Sequence, residues 1–366
     1  MNTDKQTQIA FSLIKNINAD TAEKILGRVS DEYAFFAKTH DELHSLLIPE
    51  NLSMEEYRSK LMKDAENELR FILANDIETL FFRDERFPKR LSNCSDSPVM
   101  LYSLGQTNLD ARYVVAIVGT RHATPYGIET TKRIVSDLAD RVDDLVIVSG
   151  LAYGIDVAAH KAALECGIPT VAVLAHPLNT IYPADHRGVA VQILKSGGSL
   201  ITEYATCHEV HRANFLARNR IVAGLADATI VVESAEKGGS LTTAGIALEY
   251  GREVFAVPGR LTDKYSKGSN GLISSGRAHV YFSADDLIEE LGWEKRKCEG
   301  EQLSMALTLS AEEEAIYEFL IQKPGSTVND IMLSTQIPAI QIKNHLFNME
   351  MRDLVMSMAG GKYSAL

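Results

Sequence analysis

Three segments in the middle of this chain each place glycine shortly after a short apolar run. The apolar runs cover residues 114–118, 145–148 and 230–232, and the glycine-containing segments after them cover residues 119–121, 149–154 and 237–243. This pattern is typical of a buried strand that turns into a helix, because glycine lets the backbone turn sharply and lets a ligand approach closely. Such turns expose backbone N–H groups and helix N-termini, which bind anions and above all phosphates.

An arginine-rich segment, residues 212–220 (RANFLARNR), lies between the second and third of these turns. It combines Arg212, Arg218 and Arg220 with a single aromatic residue, Phe215. Arginine binds phosphate oxygens through a planar fork, and an exposed aromatic ring stacks on any base with roughly 1–3 kcal/mol per base. Several anion sites beside one aromatic residue favour a phosphodiester strand over an isolated phosphate. The alternative is that Phe215 lies in the core, as a lone aromatic residue usually does.

The residues that we expect to contact such a strand come from all four segments: Gly119, Thr120, Arg121, Ser149, Gly150, Arg212, Phe215, Arg218, Asn219, Arg220, Gly238, Gly239 and Ser240. Structural alternatives stay open for several of them. Arg121 could pair with Glu203 or Glu233, residues 238–240 could be a plain capping loop, and Asn219 could hold local backbone. If residues 214–225 form one helix, Phe215 and Arg218 share a face.

The motifs of common nucleotide enzymes are not found in this sequence. It contains no G-x-G-x-x-G and no G-x-x-x-x-G-K-[ST], so neither an NAD fingerprint nor a Walker-type ATPase is predicted. Asp156 and His160 are four residues apart, but one pair lacks the three or four ligands that a metal site needs. We therefore expect a binding protein without catalytic residues, metal or cofactor.

Charge and composition restrict the partners and the compartment. The formal net charge of the 366-residue chain is −12, which argues against a surface uniformly adapted to nucleic acid. A local basic groove remains compatible with this charge, because screening limits each charge to about 10 Å at 0.1 M salt. The N-terminus is polar, the four cysteines are scattered, and no apolar run approaches the ~20 residues of a membrane span. We expect a cytoplasmic protein with reduced cysteines and no membrane association.

The pattern along the chain predicts three domains. Residues 1–107 have mainly helical periodicity, and residues 14–22 have the shape of a helix-hairpin-helix turn with asparagine where glycine is usual. Residues 108–293 alternate continuous apolar strands with helices, which predicts an α/β fold with a Rossmann-like, doubly wound, mostly parallel sheet. A polar linker, residues 294–305, then leads to residues 306–366, whose order of three helices and a hairpin predicts a winged helix.

The motifs resemble those of the DNA-processing protein DprA/Smf family. The matching segments are VGTR (residues 118–121), SGLAYGIDVAAH (149–160), YP (182–183), FLARNRIVAG (215–224), GSLTTA (239–244), VPG (257–259) and SNGLI (269–273), in family order. The flanking helical part, which is similar to SAM or helix-hairpin-helix domains, and the winged helix also match a common family layout. One departure is Ala184, where some members have a basic residue.

The resemblance implies sequence-independent single-stranded DNA binding without an established catalytic activity. Members protect incoming strands during natural transformation, help load the RecA recombinase, and commonly form homodimers through the α/β domain. Family DNA contacts map onto Arg121, Arg212 and Phe215. The rival interpretation is an enzyme similar to the LOG group, which hydrolyses nucleoside monophosphates. The acidic residue of its P-G-G-x-G-T-x-x-E motif falls on Gly245 here, so the expected acid/base group is absent.

Overall fold

A computed structural model describes residues 2–296, 309–350, 352, 354–358 and 360–365 of the chain. The chain forms two compact units, residues 1–296 and 297–366. The predicted linker, residues 294–305, lies mostly outside the described residues.

The first unit is built on one nine-stranded sheet. Its strands are β1 (Glu78–Phe81), β2 (Met100–Gly105), β3 (Tyr113–Val118), β4 (Leu145–Ser149), β5 (Thr170–Val173), β6 (Ser199–Thr202), β7 (Ala228–Val231), β8 (Glu253–Ala256) and β9 (His279–Val280). Their spatial order is β1-β2-β6-β5-β4-β3-β7-β8-β9. β1 and β2 are antiparallel to their neighbours, and the strands from β6 to β9 in this order are parallel.

Helices connect these strands and precede them. In chain order they are α1 (Asn2–Ser12), α2 (Ala19–Val29), α3 (Glu32–Ala37), α4 (His40–Ser45), α5 (Glu50–Ser53), α6 (Glu55–Ala74), α7 (Lys89–Ser92), α8 (Pro125–Arg141), α9 (Ile155–Glu165), α10 (Arg187–Lys195), α11 (Arg212–Ala217), α12 (Asn219–Leu225), α13 (Gly239–Glu249), α14 (Lys267–Ser274) and α15 (Ala284–Glu290). A short 3-10 helix, Ala184–His186, precedes α10.

The parallel strands are covered on both faces, as their continuous apolar runs predict. Alternate residues of β3 belong to different cores: Val115 and Ile117 pack with α8, α9 and α15, whereas Val114 and Ala116 pack with α12 and α13. This arrangement confirms the doubly wound, Rossmann-like fold. The chain leaves β3 toward β4, β5 and β6 and then returns to β7 on the other side of β3. The sheet therefore has its topological switch point between β3 and β7.

The predicted boundary at residues 107 and 108 needs correction. β1 and β2 belong to the sheet of the α/β fold, and residues 1–296 form one compact unit. Helices α1–α6 pack onto the edge of this sheet through a third core that includes Phe81, Met100 and Tyr102. The alternating apolar residues of β1 and β2 serve this packing, so a purely helical first domain does not exist as a separate body.

The turn between α1 and α2 follows the helix-hairpin-helix expectation in part. Asn16 adopts the left-handed backbone conformation, with φ 59°, which asparagine tolerates better than most residues. Asn18 instead has extended backbone, and its side chain accepts a hydrogen bond from the N–H of Thr21 to cap α2.

The second unit contains the elements α16 (Ala311–Gln322), β10 (Ser326–Thr327), α17 (Val328–Thr335), α18 (Ala339–Glu350), β11 (Val355–Met358) and β12 (Lys362–Ala365). Capping boxes begin α16 at Ser310 and α17 at Thr327. The strands form an antiparallel sheet in the order β10-β12-β11. This is the predicted succession of three helices and a hairpin, with the short strand β10 added. No helix in the described part of the chain is long and apolar enough to span a membrane.

Candidate nucleic-acid interface

A cleft of about 900 Å³ opens at the carboxyl ends of the parallel strands. The loops after β3, β4, β5, β6, β7 and β8 all contribute residues to its walls. The cleft includes the switch point between β3 and β7, which is where open α/β sheets bind their ligands. The fold therefore brings together the glycine-marked turns and the arginine-rich segment, which are far apart in the sequence.

The turn after β3 presents Arg121 to the cleft. The N–H of Thr120 donates a hydrogen bond to the carbonyl oxygen of Glu233 at 2.7 Å, and the N–H of Ile155 donates to the carbonyl oxygen of Thr120 at 3.2 Å. A Cβ atom at Gly119 would lie 2.4 Å from Cγ1 of Ile155, so this close packing needs glycine. The turn is rigidly held, while the Arg121 side chain remains exposed.

The pairing of Arg121 with Glu203 or Glu233 is not observed. The Glu233 carboxylate is buried and accepts hydrogen bonds from the N–H and hydroxyl of Thr124, at 2.9 and 2.6 Å, at the start of α8. Glu203 pairs with Arg220. None of the ion pairs in the described part of the chain includes Arg121. Its guanidinium is free to bind an anion.

Phe215 lies beside Arg121 in the cleft. The Cζ atom of Arg121 is 5.6 Å from the centroid of the Phe215 ring, and the ring of Tyr182 meets Phe215 edge to face at 5.5 Å. Phe215 is half-buried and belongs to none of the hydrophobic clusters of the described residues. An aromatic pair and an arginine at this spacing form a stacking surface next to a phosphate-binding group.

The segment after β6 is not one continuous helix. α11 ends at Ala217 and α12 begins at Asn219, with Arg218 between them. Phe215 and Arg218 consequently do not share one exposed helix face: Phe215 borders the cleft, whereas Arg218 is only 4% exposed. The single helix over residues 214–225, on which a shared face depends, is therefore not formed.

Arg218 lies directly over Gly150. A Cβ atom at Gly150 would be 1.4 Å from Nη1 of Arg218, so only glycine leaves room for the guanidinium. Burial lowers the pKa of Arg218, and the nearby Asp156 carboxylate opposes that shift. The Nε atom of Arg218 is buried without a hydrogen-bond partner in the described residues. A buried, unpartnered guanidinium on the cleft floor is suited to an anionic ligand.

The Asp156 carboxyl group holds the loop that carries Gly150. Burial has the largest effect on the pKa of Asp156 and raises it. The charge of Arg218 lowers this pKa, as do the hydrogen bonds that the carboxyl group accepts from the backbone N–H groups of Ala152 and Gly150. His160 is fully buried behind it, and its Nδ1 lies 2.8 Å from the hydroxyl of Thr170. Burial lowers the pKa of His160 to about 3. The pair serves packing, and the described residues contain no cluster that could hold a metal ion.

Several predicted site side chains have internal partners. The buried Ser149 hydroxyl donates to the carbonyl oxygen of Ile117 at 2.6 Å, and the Ser240 hydroxyl donates to Oγ of Ser234 at 2.9 Å. The Asn219 amide donates to the carbonyl oxygen of Gly239 at 3.5 Å, which ties α12 to α13. These hydroxyl and amide groups support the cleft walls.

Arg220 does not line the cleft. Its guanidinium binds the Glu203 carboxylate, and both side chains are less than one-fifth exposed. The prediction that Arg220 contacts the strand is therefore not supported by its position. The reason is that Arg220 lies on the side of α12 that faces Glu203, whereas its neighbours Asn219 and Val222 on the same turn line the cleft.

The N-terminus of α13 forms another wall. Gly238 precedes the helix, and no side chain caps it. The first backbone N–H groups of a helix have no partner within the helix, and they carry its positive dipole end. Gly238, Gly239 and Ser240 all line the cleft, so the predicted anion-binding amides lie beside the predicted arginines.

The cleft is basic although the chain is acidic overall. Its lining includes five cationic side chains, Arg121, Arg212, Arg218, Lys237 and Lys264, and no ion pair among the described residues involves any of them. Asp156 is the single carboxylate in the lining. Apart from Asp156, the described lining carries no negative charge that would repel a polyanion.

The prediction from the sequence leaves out several of the lining residues, among them Tyr182, Lys237 and Lys264. Tyr182 stands in a recognisable Tyr-Pro pair but was not assigned to the site. Lys237 directly precedes the predicted Gly238–Ser240 nest, which was the available signal. Lys264 follows β8 in the loop that begins with VPG (residues 257–259), but it lies five residues beyond that glycine and was not singled out.

A mostly parallel open sheet with a basic, aromatic-containing crevice at its switch point defines a Rossmann-like α/β protein. Residues 78–292 match the family model described as DNA recombination-mediator protein A. The chain belongs to this family.

Curated relatives agree with this assignment. A putative DNA processing protein DprA of Mycobacterium tuberculosis is 38% identical over 72% of this chain and 68% of the relative. The DNA processing protein DprA of Bacillus subtilis is 38% identical over 59% of this chain and 71% of the relative.

Solved structures are similar as well. The X-ray structure of DNA processing protein A from Streptococcus pneumoniae has a TM-score of 0.64 and 30% identity, covering 77% of this chain and 95% of that one. A structure concerned with the single-stranded DNA binding mode of DNA processing protein A from Helicobacter pylori has a TM-score of 0.52 and 35% identity, covering 59% and 95%.

Proposed function

We propose that the cleft binds single-stranded DNA without sequence preference. The observation that carries the proposal is the position of Arg121 beside the half-buried ring of Phe215, 5.6 Å from Cζ to centroid, in a basic cleft. A guanidinium and an aromatic ring at adjacent positions match the alternation of phosphate and base along a strand. Neither group reads the hydrogen-bonding edge of a base, so binding tolerates any sequence.

Each part of the cleft has a role in this proposal. Arg121 and Arg212 bind phosphates at the rim, and the N–H groups of Gly238–Ser240 bind a phosphate at the start of α13. Arg218 contributes positive charge from the floor. The rings of Phe215 and Tyr182 stack on unpaired bases. A duplex keeps its bases paired and stacked, so it offers the cleft only its phosphates.

The biological role follows from the family. Relatives are named DNA processing proteins, and the Helicobacter pylori protein is described by its single-stranded DNA binding mode. We infer that this chain protects incoming single strands in the cytoplasm during natural transformation and helps load the RecA recombinase onto them. We also infer a homodimer formed through the α/β unit. The protein acts by binding, without catalysis.

The LOG-like alternative has little support in the cleft. The position of the motif glutamate is Gly245 in α13, and the single lining carboxylate, Asp156, is engaged with backbone N–H groups. A hydrolase would release base from a nucleoside monophosphate. When the protein is incubated with a nucleoside monophosphate, chromatography is expected to show unchanged nucleotide.

Titration of affinity against salt tests the proposal. Labelled single- and double-stranded oligonucleotides of equal length are compared for the wild-type protein and Arg121→Ala. We expect tighter binding of the single strand, and a slope of log K against log salt that falls by about 0.7 in the variant for one lost phosphate contact. Arg133→Ala is the matched control, because Arg133 is an exposed arginine of α8 outside the cleft. Equal slopes for all three proteins would contradict the proposal.

A further inference from the structure

A second groove of about 590 Å³ borders the cleft. It lies between the start of α8 and the start of α9, and Arg121 and His122 line both cavities. Arg121 therefore stands at the junction of the two, with Phe215 on one side and the groove on the other. A ligand that passes over Arg121 from the cleft enters this groove.

The groove has an apolar floor and a fixed aromatic side chain. Ile128 of α8 and Val157 and Ala158 of α9 form the floor, and Ile128 is 40% exposed. Tyr153 is 42% exposed. Its hydroxyl donates a hydrogen bond to Asp185 at 2.9 Å, and its ring meets His186 edge to face at 4.9 Å. These two contacts hold the ring in one orientation before a ligand arrives. Because the ring is already ordered, it loses less conformational entropy when a base stacks on it.

The rim of the groove is cationic. Its lining contains Arg121, Lys132 and Lys161 and no carboxylate, in a chain whose net charge is −12. Lys132 pairs with Glu165 at 3.4 Å. Lys161 is exposed and takes part in no ion pair of the described residues. An apolar floor with a rim where Arg121 and Lys161 have no ion-pair partner among the described residues is complementary to exposed bases and their phosphates.

We propose that this groove holds the continuation of the same DNA single strand after it crosses Arg121. Bases rest on Tyr153 and the apolar floor, and a phosphate binds Lys161. The inference rests on the proposed function of the cleft, and it adds a second subsite on the side of Arg121 opposite Phe215. Its measurable consequence is that affinity rises with strand length beyond what the cleft alone accommodates.

The test compares two oligothymidylates, of about 5 and about 15 nucleotides, within the roughly 4–16 nucleotides that such sites cover. Fluorescence anisotropy measures their affinities for the wild-type protein, Lys161→Ala and Tyr153→Ala. For the long strand we expect about a tenfold loss with Tyr153→Ala and a salt slope lower by about 0.7 with Lys161→Ala. The short strand, which occupies the cleft, should bind all three proteins equally.

Two exposed residues outside both cavities provide matched controls. Lys195→Ala at the end of α10 removes the same charge, and Tyr33→Ala in α3, where the side chain is 61% exposed, removes the same ring. Both should leave the long-strand affinity unchanged.

The outcomes separate the two proposals. If the wild-type protein binds neither strand, the proposed function of the cleft fails. If it binds both, and Lys161→Ala and Tyr153→Ala bind the long strand as tightly as the controls do, the groove is not a subsite. The other occupant that the groove could take is a second copy of this chain, and light scattering measures the oligomeric state that this would change. A changed oligomeric state of Lys161→Ala at unchanged long-strand affinity would make the groove a contact between copies and overturn the inference.

Discussion

Replacing Phe215 with alanine separates binding from folding. A fully buried phenylalanine costs about 3–5 kcal/mol of stability when it is truncated to alanine. Phe215 is half-buried and outside the hydrophobic clusters of the described residues, and its ring contacts are Tyr182 at 5.5 Å and Arg121 at 5.6 Å. An aromatic pair contributes about 0.5–1.5 kcal/mol and an exposed cation–π contact about 0.5–1 kcal/mol. We therefore expect the free energy of unfolding to fall by no more than about 2.5 kcal/mol.

Phe215→Ala should weaken the free energy of strand binding by a similar amount, and it should do so only for single strands. Loss of one stacked base removes about 1–3 kcal/mol, or roughly 5- to 150-fold in affinity. The variant removes no charge, so the slope of log K against log salt should stay constant. Phe215→Trp keeps a stacking surface and should retain most of the affinity.

The assay is a salt-titrated anisotropy measurement on a single-stranded oligonucleotide, paired with urea unfolding of the same proteins. Phe282→Ala provides a control, because Phe282 is 77% exposed and lies outside the cleft. The reasoning is refuted if Phe215→Ala lowers the unfolding free energy by the full core amount while the affinity is unchanged. That result would place the ring in a core and not in a binding surface.

Three other changes should follow from buried groups. Arg220→Ala should lower the unfolding free energy in urea by about 3 kcal/mol, because Glu203 loses its partner, with little direct effect on strand affinity. Gly150→Ala should displace Arg218 and weaken strand binding; in a double-mutant cycle, adding Arg218→Ala should cause no further loss. His160 has a pKa lowered to about 3, so the folded state resists its protonation; stability should fall by about 1.4 kcal/mol per pH unit as pH drops below about 6.5, and His160→Gln should lack this part of the slope.

The sequence predicted the α/β core well because its signals are local. Strand β4 begins at Leu145 as its apolar run predicts and ends one residue later than expected, at Ser149, and β3 begins one residue earlier than expected, at Tyr113. Continuous apolar runs identify strands that are buried on both faces, and glycine marks the turns that follow them. These signals located the cleft because carboxyl ends of parallel strands meet at one edge of the sheet.

The predictions that differ from the structure depend on contacts between residues that are far apart in the sequence. β1 and β2 occur in a stretch dominated by helical periodicity, and their membership of the sheet depends on pairing with β6, almost 100 residues later in the chain. Arg218 and Arg220 look equivalent in the sequence, yet Arg218 enters the cleft floor over Gly150, whereas Arg220 pairs with Glu203. Periodicity alone cannot tell these fates apart, because the partners come from other strands.

The most direct test of the central claim is photo-crosslinking of a single-stranded oligonucleotide that carries 5-iododeoxyuridine, with the adducts located by mass spectrometry. The account predicts adducts on the two aromatic residues of the cleft, Phe215 and Tyr182, and their loss in competition with unlabelled strand. Adducts confined to residues outside the cleft, such as those of α1 and α2 or of residues 309–365, would contradict it.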